Sequence, residues 1–226
     1  MRVFRLSILL TALLACSMAF GDNITIQNPS FETPNLSNGG VLGQSGIGPG
    51  SWITYAPGWV VSTPYGAGEY YPGTLQFPTG ASNGNNVLWV NSAYVYQTVA
   101  ATVQDSTTYT LSVDVGQRSD DPTISYWIYL MAGNPNSGPI LAEDVSSLHP
   151  ASGTWLTSTL SYTAGPNDPF YGEPLSIVLG SNHPQTDFDN VLLSDAPASV
   201  TPEPSSLVLA GTALALACGL MRNSLR

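Results

Sequence analysis

Tyr109-Thr110-Leu111-Ser112-Val113-Asp114-Val115 alternates apolar and polar residues without a break. Successive side chains of a strand point to opposite faces, so this stretch reads as a strand that buries Tyr109, Leu111, Val113 and Val115. The chain on either side repeats the signal. Residues 123–131 form a second long strand, apolar on both faces, and residues 154–162 a third, with Trp155 near its start and Leu160 on the opposite face. Residues 175–179 and 188–193 follow; 23–27, 59–62, 87–91 and 95–99 precede. Asn38-Gly39-Gly40, Asn83-Gly84-Asn85 and Gly133-Asn134-Pro135 supply turns between them. No helical periodicity lasts beyond two turns before residue 207. Many short strands punctuated by Gly and Pro predict an all-β, antiparallel β-sandwich of the jelly-roll kind.

Charge narrows the function. Between Asp22 and Thr201 there is one base, Arg118, against fourteen acids. Nucleic acid binding needs basic residues that displace counterions from phosphate, so it is excluded. Anionic lipid would repel this body too. Neutral ligands and cations suit it better. Both cysteines, Cys16 and Cys218, fall in terminal apolar segments, so no disulfide supports the body.

The two ends read as address labels. Arg2 and Arg5 precede an apolar run over residues 6–15, and small residues follow at Ser17, Ala19 and Gly21. This is the build of a secretory signal peptide over residues 1–21, with cleavage expected after Ala19 or Gly21. A lipoprotein signal ending at Cys16 is the lesser alternative. Residues 22–195 form the sandwich domain, and 196–206 a proline-rich linker. Residues 207–226 hold a short apolar helix and a basic end. The order Pro202-Glu203-Pro204, apolar run, then Arg222 and Arg226 resembles the PEP-CTERM sorting signal. That resemblance implies export through the Sec machinery, a transient inner-membrane anchor, recognition by an exosortase, and a final place at the cell surface or outside it. An ordinary tail anchor is the competing reading.

The body carries four short motifs in order: Asn28-Pro29-Ser30-Phe31-Glu32-Thr33-Pro34, Pro57-Gly58-Trp59, the strand from Tyr109 to Val115 with Gly116 after it, and Asp187-Phe188-Asp189-Asn190-Val191-Leu192-Leu193. Together they resemble a jelly-roll family related to galactose-binding-like domains and carbohydrate-binding modules. Within it they are most similar to the calcium-dependent hapalindole-type cyclases. The resemblance implies a structural calcium.

If first and last strands lie side by side, Glu32 and Asp189 converge at one end of the sandwich. A hard cation with oxygen ligands would then neutralise them, with carbonyls of the 38–40 turn completing the shell. The other reading has Glu32 accepting backbone hydrogen bonds and Asp189 capping a turn. Trp59, Tyr65, Tyr70, Tyr71, Phe77 and Trp89 crowd a loop-rich stretch, and Trp127 and Tyr129 share a strand face. Such aromatics either pack loops or line a ligand-facing cleft. No Cys nucleophile, Gly-x-Ser-x-Gly elbow or zinc motif is present, and His149 and His183 each precede a proline. Asp187 and Asp189 remain as candidate acids, since the related cyclases use a protonated carboxylate beside aromatic rings.

Three functions compete. The first is a non-catalytic surface protein that binds polysaccharide or another matrix component through a calcium-stabilised jelly roll. The second is a cyclase or lyase with an Asp general acid in an aromatic pocket. The third is a purely structural envelope protein. A concave aromatic surface faced by one acid favours the second.

Overall fold

The structure is a computed structural model, described over residues 21–38, 49–121, 123–182 and 185–198. Both address segments, the sorting motif Pro202-Glu203-Pro204 and the Gly39-Gly40 part of the first turn lie outside these residues. Among the described residues no helix is long and apolar enough to cross a membrane.

Eleven strands carry the fold: β1 (Asp22–Ile24), β2 (Val60–Val61), β3 (Ala67–Tyr70), β4 (Val87–Val90), β5 (Ala93–Thr102), β6 (Thr107–Gln117), β7 (Tyr126–Ala132), β8 (Ile140–Val145), β9 (Thr154–Thr163), β10 (Pro174–Ser181) and β11 (Thr186–Pro197). They form two antiparallel sheets, one in the order β3-β4-β11-β6-β9 with β1 also on β11, the other β2-β5-β10-β7-β8. The expected all-β sandwich is therefore what forms. Tyr109, Leu111, Val113 and Val115 face its core, all fully buried. Tyr126, Ile128 and Leu130 meet them from the opposite sheet with Ile177 and Leu179. The alternation of β6 thus becomes one wall of the core.

The last strand organises the first sheet. β11 pairs with β6 along one edge, while its other edge pairs first with β4 through residues 186–188 and then with β1 through residues 193–195. Between those pairings the β11–β6 register shifts, and Asn190 takes a positive φ of 49°. This bulge interrupts the ladder. The gap is closed by the 28–34 loop, where the Val191 N–H donates to the Pro29 carbonyl. First and last strands lie side by side, as the sequence suggests: Ile24 sits opposite Leu193.

Candidate functional site

The six-stranded sheet is covered on both faces. Leu88, Phe188 and Val115 form a row that faces the main core. The neighbouring row runs Gly68, Trp89, Asp187, Gly116, Trp155 and faces outward. That outer face is not given to solvent. Segments around Ile53 and Phe77 fold over it and make a second, smaller apolar cluster with Tyr70, Val87, Trp89 and Trp155. Two glycines make the cover possible. A Cβ at Gly68 would collide with the Ile53 carbonyl, and one at Gly116 would meet the Trp155 ring at 2.5 Å. Trp155 lies flat there, stacked on Phe77 at 4.4 Å.

Between cover and sheet is a cavity of about 310 Å³. Its aromatic lining is Trp52, Tyr70 and Trp89; Gln76, Arg118 and Gln185 supply the polar lining. Trp52 and Trp89 meet edge to face at 6.1 Å, and the Trp89 indole N–H donates to the Ile53 carbonyl at 3.0 Å. Beneath them Asp187 is 0 % exposed. The Tyr70 hydroxyl donates to its Oδ2 at 3.0 Å and the Gln185 amide to its Oδ1 at 2.8 Å. Burial pushes the Asp187 carboxyl up to about 7, against the pull of the Gln185 and Tyr70 donors and the Arg118 charge. Tyr70 itself is held well above its ordinary value, by burial first and by Asp187 next. The arrangement can hold a protonated carboxyl directly behind Tyr70 and Gln185, two of the residues that line the cavity.

Of the aromatics singled out from sequence, only Tyr70 and Trp89 line this cavity. Trp59 is a core residue, packed on Phe31 at 5.6 Å with its indole N–H on the Asn28 carbonyl. The loop-rich stretch brings it inward because Asn28 and Phe31 both take positive φ and fold the 28–34 loop beneath it. Tyr65 is 70 % exposed, at a positive φ of 64°. Tyr71 is half-buried just past β3, with its backbone paired to residues 50 and 51. Trp127 and Tyr129 lie on the outer face of the other sheet, in a shallow groove with Tyr94 and Ile140. Tyr70 and Trp89 thus fall on one surface, and Trp127 and Tyr129 on another. Trp52, Gln76 and Arg118 were not foreseen. The isolation of Arg118 in an acidic body was the one available signal.

Glu32 and Asp189 do meet at one end, through the 83–86 loop. Glu32 Oε1 accepts the N–H groups of Asn85 and Asn86, both at 2.6 Å. Asp189 accepts those of Asn83 and Asn190, both at 2.7 Å. Burial raises the Asp189 carboxyl to about 8, opposed by these N–H donors and reinforced by the charges of Asp114 and Glu32. Asp114 faces Asp189 across the strands and is bound by Ser82, Thr157 and Asn190. Each carboxylate of the pair thus accepts backbone N–H groups.

Among the described residues the partnerless buried oxygens are elsewhere. Glu69 Oε2 and Asn86 Oδ1 are buried with no hydrogen-bond donor. Glu69 stands opposite Leu88, and Asn86 lies two residues before Leu88, so both share the inward face. The Asn28 amide holds the other Glu69 oxygen at 2.7 Å. Burial raises Glu69 to about 9, Asn28 pulling it down and the Glu32 charge pushing it up. Oxygen donors beside backbone carbonyls fit a hard cation such as calcium. Among the described residues no group of three or more His, Cys, Asp or Glu is placed to hold a metal, so Asn86 and carbonyls would have to complete any shell.

Comparison with known proteins bears on the fold and the family. The HpiC1-like family model, described as HpiC1 cyclase, matches residues 22–194. A Stig cyclase, Fisc, from Fischerella sp. TAU, solved with (3Z)-3-(1-methyl-2-pyrrolidinylidene)-3H-indole, superposes with a TM-score of 0.66 at 26 % identity, covering 80 % of this chain and 100 % of that one. A cyclase from the same organism, solved with 4-(1H-indol-3-yl)butan-2-one, gives 0.63 at 27 % identity, covering 79 % and 100 %. No curated protein matches by sequence. With the family model spanning the whole sandwich, the chain belongs to the HpiC1-like cyclase family.

Proposed function

We propose that the domain is an acid-promoted cyclase or lyase acting on an aromatic substrate, with Asp187 as the proton donor. The observation that carries this is a fully buried carboxyl, raised to about 7, under the Trp52–Trp89 cavity. The indole compounds bound by the Fischerella relatives support a substrate of similar ring size. Neutral Asp187 gives its proton to a ring or alkene carbon, forming a C–H bond and a cation in the substrate. The aspartate left behind is held by Tyr70 and Gln185. Ring closure passes the positive charge to the attacking ring, and the proton that this ring loses on rearomatisation returns to Asp187. Trp52 and Trp89 present ring faces and edges to a delocalised cation and keep water out. Turnover of an indole substrate by wild type but not Asp187→Asn tests the reading; equal rates overturn it.

Calcium is the proposed cofactor, tying the 28–34 loop to β3 and β4 through Glu69 and Asn86; its role is structural. The body so held is proposed to be exported through Sec, sorted by an exosortase through Pro202-Glu203-Pro204, and displayed at or beyond the cell surface. A second reading adds polysaccharide binding on the opposite sheet. There the Trp127 indole lies against Gly180, where a Cβ would collide with it, so the ring is flat on the sheet and presents its other face outward. Tyr129, Tyr94 and Asn136 flank it, the Tyr94 hydroxyl donating to Asn136 at 2.8 Å. Flat aromatics beside uncharged amides suit the apolar face and hydroxyls of a neutral sugar.

A further inference from the structure

We infer that the substrate of the Trp52–Trp89 cavity is an aromatic anion, a ring between the tryptophans whose carboxylate pairs with Arg118. The inference rests on the cavity being the substrate site and deepens that reading. Arg118 is the one Lys or Arg from residue 22 to residue 197. The rest of that body would repel an anion, yet its single positive group lines the aromatic cavity. Arg118 follows directly on β6 and is two residues from Gly116, which pairs with Asp187, so it lines the cavity close enough for its charge to act on the buried acid.

The guanidinium is held in place rather than free to wander. Its Nε donates to Asp120 Oδ1 at 2.8 Å and one Nη to Oδ2 at 2.7 Å. Gln76 in turn donates to the same Asp120 at 3.1 Å. This fork uses two of the five guanidinium N–H donors. Asp120 is the more exposed partner, its side chain 41 % accessible against 23 % for Arg118, so solvent weakens its hold on the charge. A structural ion pair needs neither the aromatic lining nor the partial burial of the arginine. A carboxylate anchor needs both, since a pre-oriented planar fork beside an apolar slot fixes a planar acid by ring and charge together.

Calorimetric titration of the purified protein with indole-3-propionate and with indole-3-propionamide tests this. The two probes differ in charge and not in ring. Wild type should bind the carboxylate at least tenfold more tightly than the amide, and the preference should shrink with added salt. Arg118→Gln should remove the preference and leave amide affinity within about twofold; Arg118→Lys should keep part of it. Equal affinities in wild type overturn the anion inference, as does a preference that survives Arg118→Gln. Amide binding that is lost in Trp89→Ala, with no preference for the acid, leaves the cavity as the substrate site and removes only Arg118's role. Failure of both probes to bind removes the substrate site as well. The wild-type comparison needs no variant to fold.

Discussion

The Tyr70 hydroxyl and the Asp187 carboxyl meet at 3.0 Å from 117 positions apart in sequence, both buried under the cavity. Asp187→Asn keeps the shape and an oxygen for Tyr70 but has no acidic proton. It should lower the rate by about 10²–10⁴-fold with substrate binding retained. Because Asp187 is raised to about 7, it is protonated at lower pH and loses its proton as pH rises through that value. The wild-type rate should therefore be highest in mild acid and fall above about pH 7. A rate flat from pH 5 to pH 9, or an active Asp187→Asn, would remove Asp187 as the acid.

Calcium dependence is read from melting curves with metal and with chelator. Glu69 is raised to about 9, so without metal the folded protein holds a proton there that the unfolded chain, with an ordinary value of about 4.3, gives up. Its contribution is full below the unfolded value and lost as pH rises through about 9. Metal competes with that proton, so calcium should stabilise more at pH 8 than at pH 6. At a hundred times the dissociation constant the gain is about 2.7 kcal/mol. Glu69→Gln should abolish the response and Asp189→Ala should keep it. The reverse result would return the ion to the Glu32–Asp189 end.

Gly116→Ala tests the cover. The added methyl meets the Trp155 ring at 2.5 Å and must displace it from Phe77. Overpacking of this kind costs about 1–3 kcal/mol, or about 2–4 °C of melting temperature per kcal/mol at this size. Trp155→Ala in the same chain should make the Gly116 substitution nearly silent. An unchanged melting temperature in the single variant would mean the ring is not seated on the sheet.

Trp127→Ala separates the two surfaces. Retention on a neutral polysaccharide, read by affinity electrophoresis, should fall, while turnover in the Asp187 cavity stays at the wild-type level. Loss of both together, or unaltered retention, would count against a sugar platform on the second sheet.

Glu203→Ala addresses delivery. Intact-mass analysis of exported protein should show wild type lacking the residues before position 20 or 22 and cut near the Pro-Glu-Pro motif, and the variant retaining its apolar tail in the inner membrane. Unchanged release would favour an ordinary tail anchor.

Sequence legibility followed the main core. β6, β10 and β11 were readable because each places apolar residues inward at period two, and β9 more weakly through Leu160 and Tyr162. β7 was readable for another reason: Trp127, Tyr129 and Met131 face outward in a groove, which makes the strand apolar on both faces. It begins at Tyr126 rather than Thr123, whose hydroxyl is turned to Asp121. β3 was missed because Ala-Gly-Glu-Tyr is buried at all four positions and shows no alternation. β8 was missed because the pattern is inverted: Ile140 and Val145 are exposed, and Asp144 is buried on Tyr126 and Ser158. Asp187 was visible as an acid of the last strand. Its partner Tyr70 was visible only as one of many aromatics, since pairing β3 and β11 through β4 is a tertiary fact. Asp189, two residues on, differs from it because backbone N–H groups of a loop reach it.

The cavity lies outside the sandwich, between one sheet and the segments that cross it, so the stretches around Ile53 and Phe77 contribute little to the main core. Under the proposed function, folding and substrate choice are thereby assigned to different parts of the chain. Those two stretches can drift, or be exchanged as cassettes, over an unchanged floor of Asp187 and its strand neighbours. Diversification of such a domain would leave its acid fixed and rewrite its roof.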